Sequence, residues 1–301
     1  MKKIFIKLNL ILFTFFIISA STNAILASSD VPFEYNILPT ITKNSIIDTK
    51  VQKELKFKLY ENTEAIYYQE KIIKVNDDNT FDIQINKLSG KQDIIFRNDD
   101  NETVSFTYYF SDKKGNVNDY ELVDGQKLGT IVTTYNDIQI IYSSKEKAGA
   151  KKLISYLKKL PNQVLKNVEK ITMIPFENES NIAGVTLDNS ITLYKFSKYS
   201  TATQKNIIYH EITHTWASKL MQYKIIDYSY SDYQKVVQED NNFVSTYSKS
   251  YIEGKESYSE DFAESVSFFF INKHNFKKKY PNRYEYINTL TNIKFEEKES
   301  D

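Results

Sequence analysis

Two of the chain's three histidines, His210 and His214, stand four residues apart in the run Tyr209-His210-Glu211-Ile212-Thr213-His214. On an α-helix, side chains four apart leave the same face, one turn above the other, so both imidazoles can grip one cation. Imidazole nitrogens are zinc ligands, and Glu211, one step round from His210, is placed to face a water on that ion as general base. By composition alone, an H-E-x-x-H run arises in such a chain about once in several hundred. The plain alternative is an amphipathic helix with two polar residues that happen to fall four apart. The flanking sequence supports a helix: Thr201 and Gln204 have capping-box spacing, and neither glycine nor proline interrupts the run to Met221.

Two histidines do not complete a zinc site. A metzincin would place glycine and a third histidine at the sixth and ninth positions after Glu211, where this chain has Ala217 and Leu220, so that arrangement is excluded. The remaining histidine, His274, sits in a lysine-rich stretch and suits a surface. Carboxylates are left. Ser259-Glu260-Asp261-Phe262-Ala263-Glu264 opens a second apolar helix that runs through Phe268, Phe269 and Phe270, with Glu260 and Glu264 on one face. Glu260 can then bind the metal while Glu264 orients a histidine. The alternatives are a capping-box partner of Ser257 for Glu260 and a solvated helix face for Glu264.

The combination of His210-Glu211-x-x-His214 with Glu260-Asp261-Phe262-Ala263-Glu264, 46 positions after His214, resembles the gluzincin peptidases related to anthrax lethal factor, which include secreted clostridial Pro-Pro endopeptidases. The resemblance spans roughly residues 131–295 and takes in the closing segment Tyr280-Pro281-Asn282-Arg283-Tyr284-Glu285-Tyr286-Ile287. It implies a zinc peptidase with His210, His214 and Glu260 as ligands, Glu211 as base and Glu264 behind a ligand histidine. It also implies a tyrosine in an S-x-Y context that hydrogen-bonds the tetrahedral intermediate. Ser245-Thr246-Tyr247-Ser248 matches that context, but Tyr247 lies thirteen residues before Glu260, a longer gap than the family shows. An insertion such as Tyr251 to Lys255 reconciles the spacing, and Tyr251 is the rival.

The elements that must position these residues follow from pattern. A chain of 301 residues suffices for one or two domains with sizeable cores, and 41% hydrophobic with 26% charged residues is ordinary for a globular protein. From about Pro32 to Ser111, strand periodicity prevails: Leu55, Phe57 and Leu59, then Phe81, Ile83 and Ile85, then Val104, Phe106, Tyr108 and Phe110 alternate with polar residues. Turn clusters such as Asn76-Asp77-Asp78-Asn79 and Asn98-Asp99-Asp100-Asn101 separate them, without the ligand spacing of a calcium loop. This predicts an antiparallel β-sandwich over 32–115. The run from Ile72 through Asn79-Thr80-Phe81 and Leu88-Ser89-Gly90 to Ile94-Ile95-Phe96 resembles bacterial immunoglobulin-like modules of surface proteins.

A linker is expected from about Ser111 to Gly125. Strands at Ile131–Tyr142, Ile171–Phe176 and Ile191–Phe196 and a helix at Lys145–Leu160 then mix with the H-E-x-x-H helix, which predicts an α+β domain over 120–301, zincin-like by the resemblance. In zinc proteases of several clans an edge strand beside that helix pairs with the substrate backbone, and Ile191–Phe196 is the candidate here.

The N-terminus reads as an export signal over residues 1–24. Lys2, Lys3 and Lys7 precede a short apolar run, Leu8 to Ala20, and cleavage is expected after Ala24 or, alternatively, Ala27. The run is short for a membrane span, although an uncleaved anchor is the competing reading. Cysteine is absent, so neither disulfides nor a cysteine-linked lipid contribute. Cleavage leaves 36 basic against 39 acidic side chains, a balance that disfavours nucleic acid as a partner. The expectation is a secreted zinc-dependent endopeptidase without a stable membrane anchor, acting on a protein or peptide substrate such as a surface, host or matrix protein. The alternative is a surface-binding or adhesion protein in which the β-sandwich does the work beside a degenerate peptidase domain. Chelator sensitivity separates the two.

Overall fold

The computed structural model describes residues 32–60, 65–123, 128–178, 180–253 and 258–295, with backbone alone for 250–253. The export signal, Ser257 and the tail from Glu296 therefore lie outside the described residues. The chain is a mixed α+β protein with three sheets among the described residues.

The N-terminal region holds a helical turn, α1 (Phe33–Asn36), and the strands β1 (Ile37–Pro39), β2 (Ile46–Ile47), β3 (Glu54–Leu59), β4 (Tyr67–Tyr68), β5 (Lys71–Ile72), β6 (Thr80–Gln84), β7 (Gly90–Arg97) and β8 (Thr103–Phe110). One sheet has the order β1-β3-β6, and the other β2-β8-β7-β4-β5. Alternation decides what each strand buries: Leu55, Phe57 and Leu59 of β3 point inward while the residues between them are exposed. Both sheets feed one core, in which Phe57 stacks on Phe81 at 5.4 Å and meets Phe96 of the other sheet edge-on at 4.9 Å. The strands expected at 55–59, 81–85 and 104–110 are thus present.

The C-terminal region contains β9 (Asn116–Val117), β10 (Thr130–Tyr135), β11 (Ile138–Ser143), α2 (Lys147–Leu157), α3 (Asn162–Leu165), β12 (Lys170–Ile174), β13 (Gly184–Leu187) and β14 (Ser190–Tyr194). Helices α4 (Thr201–Gln222), α5 (Ser231–Asp240), α6 (Thr246–Glu253), α7 (Ser259–Ile271), α8 (Lys273–Lys279) and α9 (Pro281–Leu290) complete it. The six-stranded sheet has the order β13-β14-β12-β11-β10-β9, with β12 parallel to both neighbours. Its core joins Ile171, Met173, Ile191 and Leu193 of the sheet to Ile208, Ile212 and Trp216 of α4 and Phe262 and Val266 of α7. Trp216 lies nearly parallel to Phe262, centroids 6.1 Å apart, and this contact ties α4 to α7. His274 is exposed on α8, as its lysine-rich surroundings suggest.

Three expectations need correction. The stretch read as a linker contains a tight turn and a strand. Asp112 accepts the amides of Lys114 and Asn116 through Oδ1, Gly115 takes a left-handed φ of 89°, and β9 then pairs with β10. Second, Ile191–Phe196 is not an edge: β14 is enclosed between β12 and β13. The two-residue Asp188-Asn189 turn, with Asp188 at φ 51°, folds β13 back onto it, so β13 is the edge strand. Third, the α4 cap is Ser200, whose hydroxyl accepts the Thr203 amide at 3.2 Å. Gln204 is buried instead, donating to the Phe196 carbonyl and accepting from the Tyr156 hydroxyl.

The two regions meet through Ile46, Val117, Val132 and Ile141, and Gln139 of β11 donates to the Ile46 carbonyl at 2.8 Å.

Candidate metal centre

Helix α4 carries His210 and His214 one turn apart, and the first turn of α7 brings Glu260 to them. The two Nε2 atoms are 3.1 Å apart. The Glu260 carboxylate lies 3.1 Å from His210 Nε2 through Oε2 and 3.5 Å from His214 Nε2 through Oε1. All three donor atoms lie within 4.8 Å of one another. Glu264, one turn further along α7, places Oε1 2.9 Å from His210 Nδ1. In neutral His210 that contact holds the proton on Nδ1 and turns the Nε2 lone pair toward the other two groups.

This donor set fits zinc. Two imidazole nitrogens and one carboxylate, with an open fourth position, are a ligand combination of catalytic zinc sites. Glu260 Oε2 supplies a further test, because it is buried and makes no well-formed hydrogen bond. A buried carboxylate oxygen whose nearest imidazole, His210 Nε2 at 3.1 Å, gives it no well-formed hydrogen bond is costly, and a cation among these three groups satisfies it.

Helix α7 can present Glu260 because its other face is anchored. Asp261 is fully buried, accepts from the Tyr233 hydroxyl at 2.8 Å and pairs with Arg283 Nε at 3.1 Å. Phe262 and Val266 fill the core. Consecutive residues at the start of one helix thus divide between the His/His/Glu cluster and anchoring.

Burial and charge set the protonation states. With no cation between them, burial pulls the His210 pKa down, but the close Glu260 carboxylate and the Glu264 hydrogen bond outweigh it and push the value up to about 10. Burial, reinforced by positive charge on His210, lowers His214 to about 4. Glu260 is held below its ordinary range: burial opposes this, and the close, positively charged His210 imidazole prevails. Burial raises Glu211, a shift that the Thr186 hydroxyl partly offsets.

Glu211 is only 8% exposed and lies against β13, not among the three ligand atoms. Tyr247, on α6, is 47% exposed, helps to lower the Glu260 pKa and has its ring centroid 6.1 Å from that of His210. The side chain of its rival, Tyr251, lies outside the described residues. A cleft of about 420 Å³ opens over the cluster, bordered by Gly184, Val185 and Thr186 on one side and by Tyr230 and Tyr247 on the other.

Sequence reasoning missed three of these neighbours. Gly184 and Thr186 touch Glu211, and the Asp188-Asn189 turn signals a hairpin there without saying which strand ends the sheet. Tyr230 is buried with a left-handed φ of 55°, a conformation that costs a bulky residue about 1–3 kcal/mol, and nothing in its local sequence marks it.

No family model and no curated protein sequence matches the chain. Among solved structures it is similar to native yeast LTA4 hydrolase at 10% identity, with a TM-score of 0.22. The match covers 63% of this chain and 46% of that one, so it spans under half of that protein's length. A likeness so slight establishes no shared fold. What the geometry defines is a class: an α+β protein with a His/His/Glu cluster able to hold a metal ion.

Proposed function

We propose that this chain is a secreted zinc-dependent endopeptidase that hydrolyses peptide bonds in protein or peptide substrates. One observation carries the reading: His210, His214 and Glu260 converge on one point while the Glu211 carboxylate borders the same cleft. His210, His214 and Glu260 would hold zinc, which would supply Lewis acidity to polarise a carbonyl oxygen and to acidify water. Glu211 accepts a proton from the attacking water and passes it to the leaving amine. The Tyr247 hydroxyl donates to the developing oxyanion. Glu264 holds the His210 ring in orientation through Nδ1.

Strand β13 supports a peptide substrate. Its inner side pairs with β14, and among the described residues no strand pairs with its outer side, so an extended chain can add to it through main-chain hydrogen bonds. The finer readings belong to the same proposal. These are an immunoglobulin-like sandwich over 32–115, a lethal factor-like, zincin-like peptidase domain over 120–301, and export directed by residues 1–24. Surface, host or matrix proteins are the substrates in view.

The test uses the chain from about Ile25, incubated with a diverse peptide library and read by mass spectrometry. Wild type should cleave. Glu211→Ala should retain its zinc and lose at least about 10²–10⁴-fold in rate. Loss of zinc on that change would sink the assigned role of Glu211. A zinc-loaded wild type indifferent to chelator would turn the reading toward a surface-binding protein.

A further inference from the structure

The Glu211 side chain makes its contacts with two residues on one face of β13. Thr186 Oγ1 lies 2.7 Å from Glu211 Oε2 and 3.0 Å from the Glu211 main-chain oxygen. A hydroxyl has one proton to donate, and the shorter contact to a carboxylate takes it. Gly184, two residues earlier and so on the same side of the strand, lies against the rest of the carboxylate. A Cβ built there would stand 2.7 Å from Oε1, 2.8 Å from Cγ and 3.0 Å from Cδ of Glu211. Gly184 is therefore needed for space at this point. Thr186 holds one carboxylate oxygen, and the glycine makes room for the other.

We infer that Thr186 is the positioning residue for Glu211, holding Oε2 so that Oε1 is the oxygen free to take a proton, and that Gly184 is the gap this rotamer requires. The inference rests on the proposed function, since it assigns Glu211 as the base. It makes the short edge strand serve twice. Its outer edge, unpaired among the described residues, can take an extended peptide while one face of it fixes the base, so base and substrate share one frame. A bulky or β-branched residue at 186 would satisfy the strand equally well, which makes the hydroxyl the testable feature.

The experiment compares zinc-loaded wild type with Thr186→Val, Thr186→Ser, Gly184→Ala and Glu211→Ala. Acetohydroxamic acid serves as a substrate-independent probe, because its acidic hydroxyl needs a carboxylate acceptor beside the metal. Thr186→Val keeps the shape and removes the donor. Acetohydroxamate affinity should fall about tenfold, and kcat on the peptide found above about 10–100-fold with KM within about twofold, in line with a displaced catalytic group. Thr186→Ser should recover both to within about threefold, a rescue that a packing role for the methyl group would not give. Gly184→Ala should weaken the probe like Thr186→Val, and it decides the matter if Thr186→Val does not fold. Zinc content should match wild type throughout.

Wild type that takes up no zinc overturns the proposed function and this assignment together. A zinc-loaded series in which only Glu211→Ala weakens the probe overturns this assignment alone. So does a Thr186→Val loss confined to KM.

Discussion

Replacing Arg283 with methionine should destabilise the C-terminal region more than any ordinary surface change. The guanidinium and the side chains of Asp240 and Asp261 are all inaccessible to solvent. Arg283 Nε is 3.1 Å from Asp261 Oδ2 and Nη1 is 3.4 Å from Asp240 Oδ2. The two carboxylates depend on it unequally. Asp240 also accepts the main-chain amides of Asn282 and Arg283, each at 3.0 Å, so it caps α9 and survives the change. Among the described residues Asp261 retains the Tyr233 hydroxyl alone, and its Oδ1 has no partner there. Arg283→Met therefore leaves one uncompensated buried charge, which costs about 3–5 kcal/mol. At about 2–4 °C per kcal/mol for a region of this size, melting should fall by roughly 6–20 °C. Circular dichroism against temperature, on the metal-free chain, reads it directly. Adding Asp261→Asn removes the stranded charge while keeping an acceptor for Tyr233, and should recover about 1–2 kcal/mol. Melting of Arg283→Met within about 2 °C of wild type, or a further loss in the double variant, refutes the argument. Zinc affinity should fall with stability, because Asp261 anchors the helical turn that presents Glu260.

Proton competition gives a pH prediction with a definite sign. His210 is raised to about 10 from an ordinary 6.5, so its contribution to metal-free stability is full below pH 6.5 and disappears as pH climbs through about 10. Zinc must displace that proton. Across pH 7–9 the apparent affinity should rise about tenfold per pH unit with release of about one proton, measured by calorimetry in buffers of different ionisation enthalpy. His214, lowered to about 4, is neutral throughout that window and should add nothing. A pH-independent affinity contradicts this picture. Glu264→Ala should leave His210 Nδ1 without its carboxylate and weaken zinc about 10–100-fold against a chromophoric chelator, and an unchanged affinity would remove Glu264 from its orienting role.

What was legible in the sequence was whatever a single helix decides. Spacing of four places His210 above His214 and Glu260 below Glu264 whatever the rest of the chain does. The rarity of histidine here made the first pair conspicuous. Strand alternation in the N-terminal region was legible for the same reason, since one face of each strand must be buried. The edge of the six-stranded sheet was not, because which strand ends a sheet depends on how a neighbour folds back, and four residues, Gly184 to Leu187, are too few to show a period. Ser200 and Thr201 are equally good caps on paper. Gln204 decides between them only through tertiary contacts, by bonding Phe196 and Tyr156 in place of its own helix terminus. The same limit explains Gly184. Its backbone is not left-handed, so no turn rule flags it, and its significance exists only once the Glu211 carboxylate lies against it. Residues that hold a ligand atom announce themselves by chemical type. Residues that hold those residues in place are ordinary threonines, glycines and arginines until the fold brings them together, and their roles are read from distances alone.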